Sequence, residues 1–444
     1  MTAYLLERAW VDGAMCDDVL VEVEDGVFTA VTPVTPDGQF PRLTGVATPV
    51  KRGNHRSTGD SATPIPGLTL PGFTNTHSHA FHRALRGRVQ VGQGSFWTWR
   101  DRMYEVANRL DPDTYFDLAR ATFAEMVAAG YTSVSEFHYV HHQPDGTPYD
   151  DPNALGHAVV AAAAEAGIRL RLIDTCYLAG GIGQPLGPLQ RRFDDGDADR
   201  WAARVADIEH DRVGGAIHSV RAVPRDQLAT VAKATQGRQL HIHVSEQPAE
   251  NEACLAAYGM TPVRLLAEAG ALGPETTAVH ATHLTADDVG LLAETDTEVS
   301  FCPTTERDLG DGIGPARALH DAGVRLSLGS DSQAIIDPFD EMRALEGHER
   351  LASIRRGRFT ADQLLGFGAG RIAVGEPADL VTIDPESPRT AGSGADQHTA
   401  VYAAAPADVR RVMVDGRVVF EGDHPQVGAD LGRAIGRLWT TTGK

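Results

Sequence analysis

Between residues 67 and 370 the chain alternates short apolar runs with stretches of helical character, and it does so eight times. The runs fall at 71–76, 131–137, 168–173, 215–218, 239–243, 277–280, 298–301 and 325–329. Between most of them lie segments such as DPDTYFDLARATFAEMVAAG and NALGHAVVAAAAEAG, each closed by the glycine that commonly stops a helix. Strands joined by helical crossovers lie parallel. Eight of them predict an α/β protein built as a closed (β/α)8 barrel of the TIM type. A doubly wound open sheet is the alternative, but no Gly-rich phosphate loop follows the first run.

The two ends differ from the middle and resemble each other. VLVEVEDGVFTAVTP alternates apolar and polar residues and turns at Glu24-Asp25-Gly26. ADLVTID and VRRVMVDGRVVFEGD read as strands with a turn at Asp415-Gly416, and residues 36–60, rich in Gly, Pro and Arg, read as a loop. Residues 1–66 and 371–444 are therefore expected to form one small β domain around a barrel of residues 67–370. LLGFGAGRIAVGEPADL passes almost directly into the C-terminal strands, so the eighth barrel helix is expected to be short.

With 444 residues, 42% of them apolar, the chain exceeds one ordinary domain and can bury a large core. A net charge of -20 argues against nucleic acid and anionic membrane as partners. The four cysteines are scattered, with no C-x-x-C pair, which fits a reducing compartment and neither a disulfide framework nor a thiolate zinc site. The N-terminus has no apolar signal region, and no run approaches the ~18 residues of a membrane span. A cytoplasmic protein is expected.

Chemistry enters at the ends of the runs. LPGFTNTHSHAFHR carries His77 and His79, two residues apart, as two ligands on one side of a strand must be. LHIHVSEQ supplies His241, His243 and Glu246, AVHATHLT supplies His280 and His283, and LGSDS supplies Asp331. On the barrel count His77 and His79 follow strand one, His243 ends strand five, His280 ends strand six and Asp331 follows strand eight. All lie at C-terminal ends, where barrel active sites form. Any one of these alone is as readily a polar strand end; five on one face point to a divalent metal.

Three histidines and a carboxylate leave a coordination position for water, whose pKa a divalent metal lowers to about 7. Glu246, three residues after His243, is placed to reach past the metal to a substrate, and with Asp331 it makes a carboxylate pair for moving protons. A helix cap following Ser245 is the structural alternative for Glu246. His280 is either a ligand or a donor that polarises the substrate.

His-x-His after strand one, HVSE, HATH and GSDS together resemble the amidohydrolase superfamily, over essentially the whole chain. The resemblance implies a metal-dependent barrel with a small β-sandwich built from both termini, which GRIAVGEPADLVTID re-enters. Many members hold two metals through a carbamylated lysine at the end of strand four. Here strand four ends in HSVRAV, and Lys51, Lys233 and Lys444, the only lysines, lie near no barrel strand end. The resemblance therefore implies one metal, zinc or alternatively ferrous iron, and a deaminase-like subgroup. HSHAFHRALRG, SFWTWRDRMY, SEFHYVHH, HSVRAV, HIHVSEQ, VHATH and LGDGI are similar to the formimidoylglutamate deiminase family of histidine degradation, which hydrolyses N-formimidoyl-L-glutamate to N-formyl-L-glutamate and ammonia. By that similarity His77, His79, His243 and Asp331 hold the metal. Glu246, His280 and Asp331 handle protons, and His82, Arg100, Tyr139, His218 and Arg221 bind substrate.

The residues bear on that substrate independently. A dicarboxylate calls for two planar cations, and Arg100 in FWTWR and Arg221 after strand four can each bind carboxylate bidentately. Tyr139 can donate to a carboxylate, with a buried tyrosine bonded to backbone as the alternative. His138, His141 and His142 are expected at the surface or behind the site. The competing readings are a mononuclear deaminase of a nucleobase or triazine, for which two arginines are poorly used, and a metal-free assembly protein of the same fold. A homodimer is expected.

Overall fold

The computed structural model describes residues 1–33, 62–90, 94–423 and 425–440. The expected loop at 36–60 lies outside the described residues. At the N-terminus β1 (Thr2–Val11), β2 (Ala14–Glu24) and β3 (Val27–Pro33) form an antiparallel meander. Its two connections are Asp12-Gly13 (φ 47° and 81°) and Asp25-Gly26 (φ 50° and 81°). Two consecutive left-handed residues match the twist of the flanking strands, and Asp-Gly tolerates them best. β4 (Thr63–Pro71) runs parallel to β1.

The barrel follows as β5 (Phe73–Ser78), β6 (Tyr131–His138), β7 (Arg169–Cys176), β8 (Val213–Ile217), β9 (Leu240–Val244), β10 (Thr276–His280), β11 (Glu298–Phe301) and β12 (Leu326–Leu328). Each is hydrogen-bonded in parallel to the next. The helices that separate them start and stop as their sequences dictate. The helix Pro112–Ala129, for example, begins at an Asp111 cap with proline at its first position and ends at Gly130, φ 108°. The barrel closes where β5 meets the end of β12: the amides of Ser330 and Asp331 donate to the His77 carbonyl at 3.1 and 2.9 Å. Gly329 is required there, because a Cβ would lie 2.8 Å from the His77 backbone N and O.

The last strands return to the N-terminal sheet. β13 (Leu380–Ile383), β14 (Val409–Val414) and β15 (Arg417–Glu421) complete a seven-stranded sheet in the order β15-β14-β13-β4-β1-β2-β3. It has its own core around Leu6, Val19, Val21, Phe28 and Met413. Two expectations about boundaries need correction. The division after residue 66 falls inside β4, which stays in the terminal sheet to Pro71, so the barrel begins at Phe73. Residues 371–444 are not all sheet: the helix Pro425–Trp439 packs against the barrel helix Pro112–Ala129, tied by Arg120–Asp430 at 3.2 Å and Trp439 Nε1 to the Ala84 carbonyl at 2.8 Å. The helix that covers the closing strands is indeed short, Ala361–Gly368. Among the described residues no helix is long and apolar enough to cross a membrane.

Candidate active site

Strict alternation along β5 would send Thr76 and His77 to opposite faces. A register shift between Asn75 and Ser78 lets both face the barrel interior, where Thr76 meets Ser300 at 2.7 Å. His77 and His79 then point at one place. His77 Nε2 lies 2.9 Å from His243 Nε2, and His79 Nε2 lies 3.4 Å from it. Asp331 Oδ1 stands 3.4 Å from His77 Nε2 and 3.3 Å from His79 Nε2. All four side chains are buried.

The imidazoles are set up as acceptors. His79 Nδ1 is 2.9 Å from the Phe137 carbonyl and His243 Nδ1 is 3.0 Å from the His218 carbonyl, so each Nδ1–H donates outward and each Nε2 lone pair faces the centre. His77 Nδ1 has no such partner. Burial, reinforced by the neighbouring imidazoles, holds His77 and His243 well below the usual histidine range and His79 at about 3, so all three rings are neutral. Three neutral imidazoles and one carboxylate with converging ligand atoms fit a single divalent ion.

Glu246 and His280 stand beside this group. Glu246 Oε1 is 3.8 Å from His280 Nε2, which is also 3.8 Å from Asp331 Oδ2. Glu246 caps no helix, since the following helix, Pro248–Tyr258, starts from Gln247. Burial opposes charge on His280, but Glu246, a bond to Glu306 and Asp331 outweigh it and push the ring up to about 10. Burial pushes the Glu246 carboxyl up, against the pull of His280 and Arg221. Ser245, His280, Ala281 and Asp331 all have positive φ. Non-glycine residues adopt that region at a cost, and such residues concentrate at functional sites.

A pocket of about 50 Å3 lies over the group, and every site residue expected from sequence except His77 lines it; His77 sits beneath, fully buried. Arg221 is held between Glu250 at 3.2 Å and Glu246 at 3.4 Å. Arg100 makes no ion pair among the described residues and lies over Trp97, 4.5 Å from the ring centroid. His82 Nε2 is 2.8 Å from the Tyr139 hydroxyl, and the His218 ring packs on Tyr177 with centroids 4.5 Å apart. The helix Phe96–Ala107, which carries Trp99, Arg100, Met103 and Tyr104, forms one wall of this small pocket.

Other residues stand where the sequence did not place them. His138, His141 and His142 are neither exposed nor behind the metal group; they are buried in a separate network with Asp174, Asp195 and Arg204. Three carboxylates that support the site were not singled out. Glu250 holds Arg221, Glu306 lies 3.3 Å from His280 Nδ1, and Glu136 accepts bonds from the Ser78 hydroxyl at 2.5 Å and the Ala80 amide at 2.6 Å. Their one sequence signal is a Glu close to each His-bearing or Arg-bearing motif. Lys233, the one lysine among the described residues, lies in the helix Arg225–Ala234, away from the metal ligands.

Known proteins show the same arrangement of chain. Over 96% of both chains the protein is 35% identical to formimidoylglutamate deiminase of Pseudomonas aeruginosa. It is 30% identical to 5'-deoxyadenosine deaminase of Methanothermobacter thermautotrophicus, over 84% of this chain and 87% of that one. The solved structure of an amidohydrolase from Brucella melitensis superposes with a TM-score of 0.85 at 28% identity, covering 99% of this chain and 100% of that one. The model of the amidohydrolase family matches residues 68–419, from the last residues of β4 through the barrel to β15, and the chain belongs to that family.

Proposed function

We propose that the protein is a metal-dependent iminohydrolase that converts N-formimidoyl-L-glutamate and water to N-formyl-L-glutamate and ammonia. The observation that carries this reading is a pair of guanidiniums, Arg100 and Arg221, lining one small pocket above the His77–His79–His243–Asp331 group. A glutamate derivative presents two carboxylates, and each planar fork matches one of them. The 35% identity to a formimidoylglutamate deiminase supports the same substrate. Three nitrogens and one oxygen suit zinc, one ion per chain.

When bound, such an ion supplies an acidified water and polarises the carbon under attack. The chain's own residues do the rest. Arg100 and Arg221 hold the carboxylates and aim the formimidoyl carbon at the metal group. His280, charged between Glu246, Glu306 and Asp331, donates to the polarised substrate. Glu246, kept protonatable by burial, takes one proton of the attacking water and passes it to the terminal =NH, making it an amine. Asp331 takes the second from the hydroxyl added to the carbon as the formyl C=O forms, and that proton reaches the same nitrogen as the C–N bond breaks and ammonia leaves. Phe96, Trp99, Tyr104 and Tyr177 keep bulk water from the reacting centre.

Ammonia release from formimidoylglutamate, with guanine, cytosine and a triazine as controls, tests the reaction. Arg100→Met and Arg221→Met test the recognition. Charge-assisted bonds contribute roughly 1.5–3 kcal/mol each, so each variant is expected to lose about 10²-fold in kcat/KM while keeping its metal. Arg221 also neutralises Glu246 and Glu250, so Arg100→Met is the cleaner of the two. Turnover of a ring substrate in place of formimidoylglutamate would establish a nucleobase-type deaminase instead.

A further inference from the structure

The barrel has a second opening on the face opposite the metal group. A cavity of about 830 Å3 lies there, among the first residues of the strands: Thr74 in β5, Ser133 in β6, Arg171 in β7, Thr277 in β10, Glu298 in β11 and Ser327 in β12. The chain carries a net charge of -20, yet this cavity is lined by four arginines, Arg169, Arg171, Arg212 and Arg325, and a single carboxylate, Glu298.

Two of those arginines are already paired. Arg169 sits between Asp379 at 2.6 Å and Asp415 at 2.7 Å, and Arg325 takes Glu298 at 3.1 Å and Asp296 at 3.3 Å. Arg171 and Arg212 make no ion pair among the described residues; burial and the nearby Arg212 press against the charge on Arg171, and Glu298 offsets them only in part. Two guanidiniums that repel in this way leave a place for an anion between them. A second observation points the same way. His241 projects into the barrel from β9 and lines the cavity at 1% exposure, with neither ring nitrogen hydrogen-bonded. Buried polar atoms without partners are rare in native proteins and call for one.

We propose that this cavity binds a small polyanion, a metabolite with two or more carboxylate or phosphate groups, held by the forks of Arg171 and Arg212 and hydrogen-bonded to His241. The volume lies within the range of small-molecule sites, and the guanidinium fork suits either oxyanion. The Thr277 hydroxyl lines the same wall and adds a donor, whereas the Ser327 hydroxyl is already given to Glu298 at 2.6 Å.

Calorimetric titration of the metal-loaded full chain at low ionic strength tests this, with inorganic phosphate and tricarballylate as the two probes. The same titration on the double variant Arg100→Met/Arg221→Met removes binding in the substrate pocket. At least one probe is expected to bind wild type and the double variant alike, and to bind Arg171→Gln and Arg212→Gln about tenfold or more weakly. Arg212 is exposed, so its replacement leaves the fold intact, and an unchanged kcat/KM in Arg212→Gln verifies this. The proposal is overturned if neither probe saturates by ~10 mM, which is weaker than any paired-guanidinium site should be. It is equally overturned if binding survives both single substitutions, or if it vanishes only in the double variant.

Discussion

The metal group has a counterpart in the same barrel. His138, His141 and Asp174 also bring one ligand atom each within 4.8 Å of the others, and they too are buried. The difference lies in what faces the carboxylate. Asp331 Oδ1 looks at the neutral imidazoles of His77 and His79, the latter tied through its outer nitrogen to a carbonyl, while the charged His280 stands farther off, 3.8 Å from Oδ2. Asp174 looks at Arg204, which donates from both Nη atoms at 2.7 and 3.0 Å, while Trp201 Nε1 adds a bond at 3.0 Å. His141 Nε2 is spent on the Thr175 carbonyl. Burial, with His141 and Arg204 close by, holds His138 at about 3, and burial with Arg204 holds His141 at about 4. A guanidinium already occupies the place a cation would take. Residue types and distances are shared; only the partner of the carboxylate separates a metal centre from a structural ion pair.

The comparison breaks most readily at Asp331. Asp331→Asn should reduce metal content from about one equivalent to near none and lower kcat by at least ~10⁴-fold. A variant that kept its metal and its turnover would put the two groups on the same footing. Glu246→Gln should keep metal and substrate binding while kcat falls ~10²–10⁴-fold, as steady-state kinetics and elemental analysis will show. If activity returned once zinc was restored, Glu246 would belong with Asp174, among the structural carboxylates.

At the counterpart the expected loss is of stability. Asp174→Asn strips Arg204 of one of its two carboxylates and should cost about 3 kcal/mol in urea unfolding, with one metal equivalent and kcat/KM unchanged. A fall in metal content there would mean that the second group binds a cation after all. The smallest effect is in the acid limb. Burial raises the Asp174 carboxyl, but Arg204 and His141 outweigh it and hold it below the usual aspartate range. A depressed native pKa adds stability above the unfolded value of about 3.9 and loses it as pH falls through the native value. Wild type should therefore lose more stability than Asp174→Asn between pH 5 and pH 3.

Local pattern made the barrel legible. All eight runs became strands, because short apolar segments capped by helix signals leave few other folds. The four metal-group residues could be read because each lies at a strand end, which a linear sequence marks. The division after residue 66 failed because Pro64, Pro66 and Pro71 look like strand breakers; the strand survives because Pro64 and Pro66 lie where β4 has β1 alone as neighbour, beside a bulge, and Pro71 is its last residue. The helix Pro425–Trp439 carries a helical signal of its own, with Leu431, Ala434 and Leu438 recurring on one buried face against the helix Pro112–Ala129, a signal that the strand pattern just before it overshadows. Nor does sequence distinguish His138 from His77, since the residue that decides between them, Arg204, lies on a helix, Ala198–Ala206, that no motif singles out.

The seam between β5 and β12 has a consequence in time. Asn75 and Ser330, 255 residues apart, bond across it at 2.6 and 3.0 Å. At ~5–20 residues per second, a ribosome delivers Asp331 on the order of ten to fifty seconds after His79. Throughout that interval His77 and His79 are a loose chelating pair on an unfinished chain. The full ligand set exists only once the last strand has docked and Gly329 has slipped against the His77 backbone. A chain that stalls before residue 331 carries His77, His79 and His243 but lacks both the Asp331 carboxylate and the seam that draws the four ligands together.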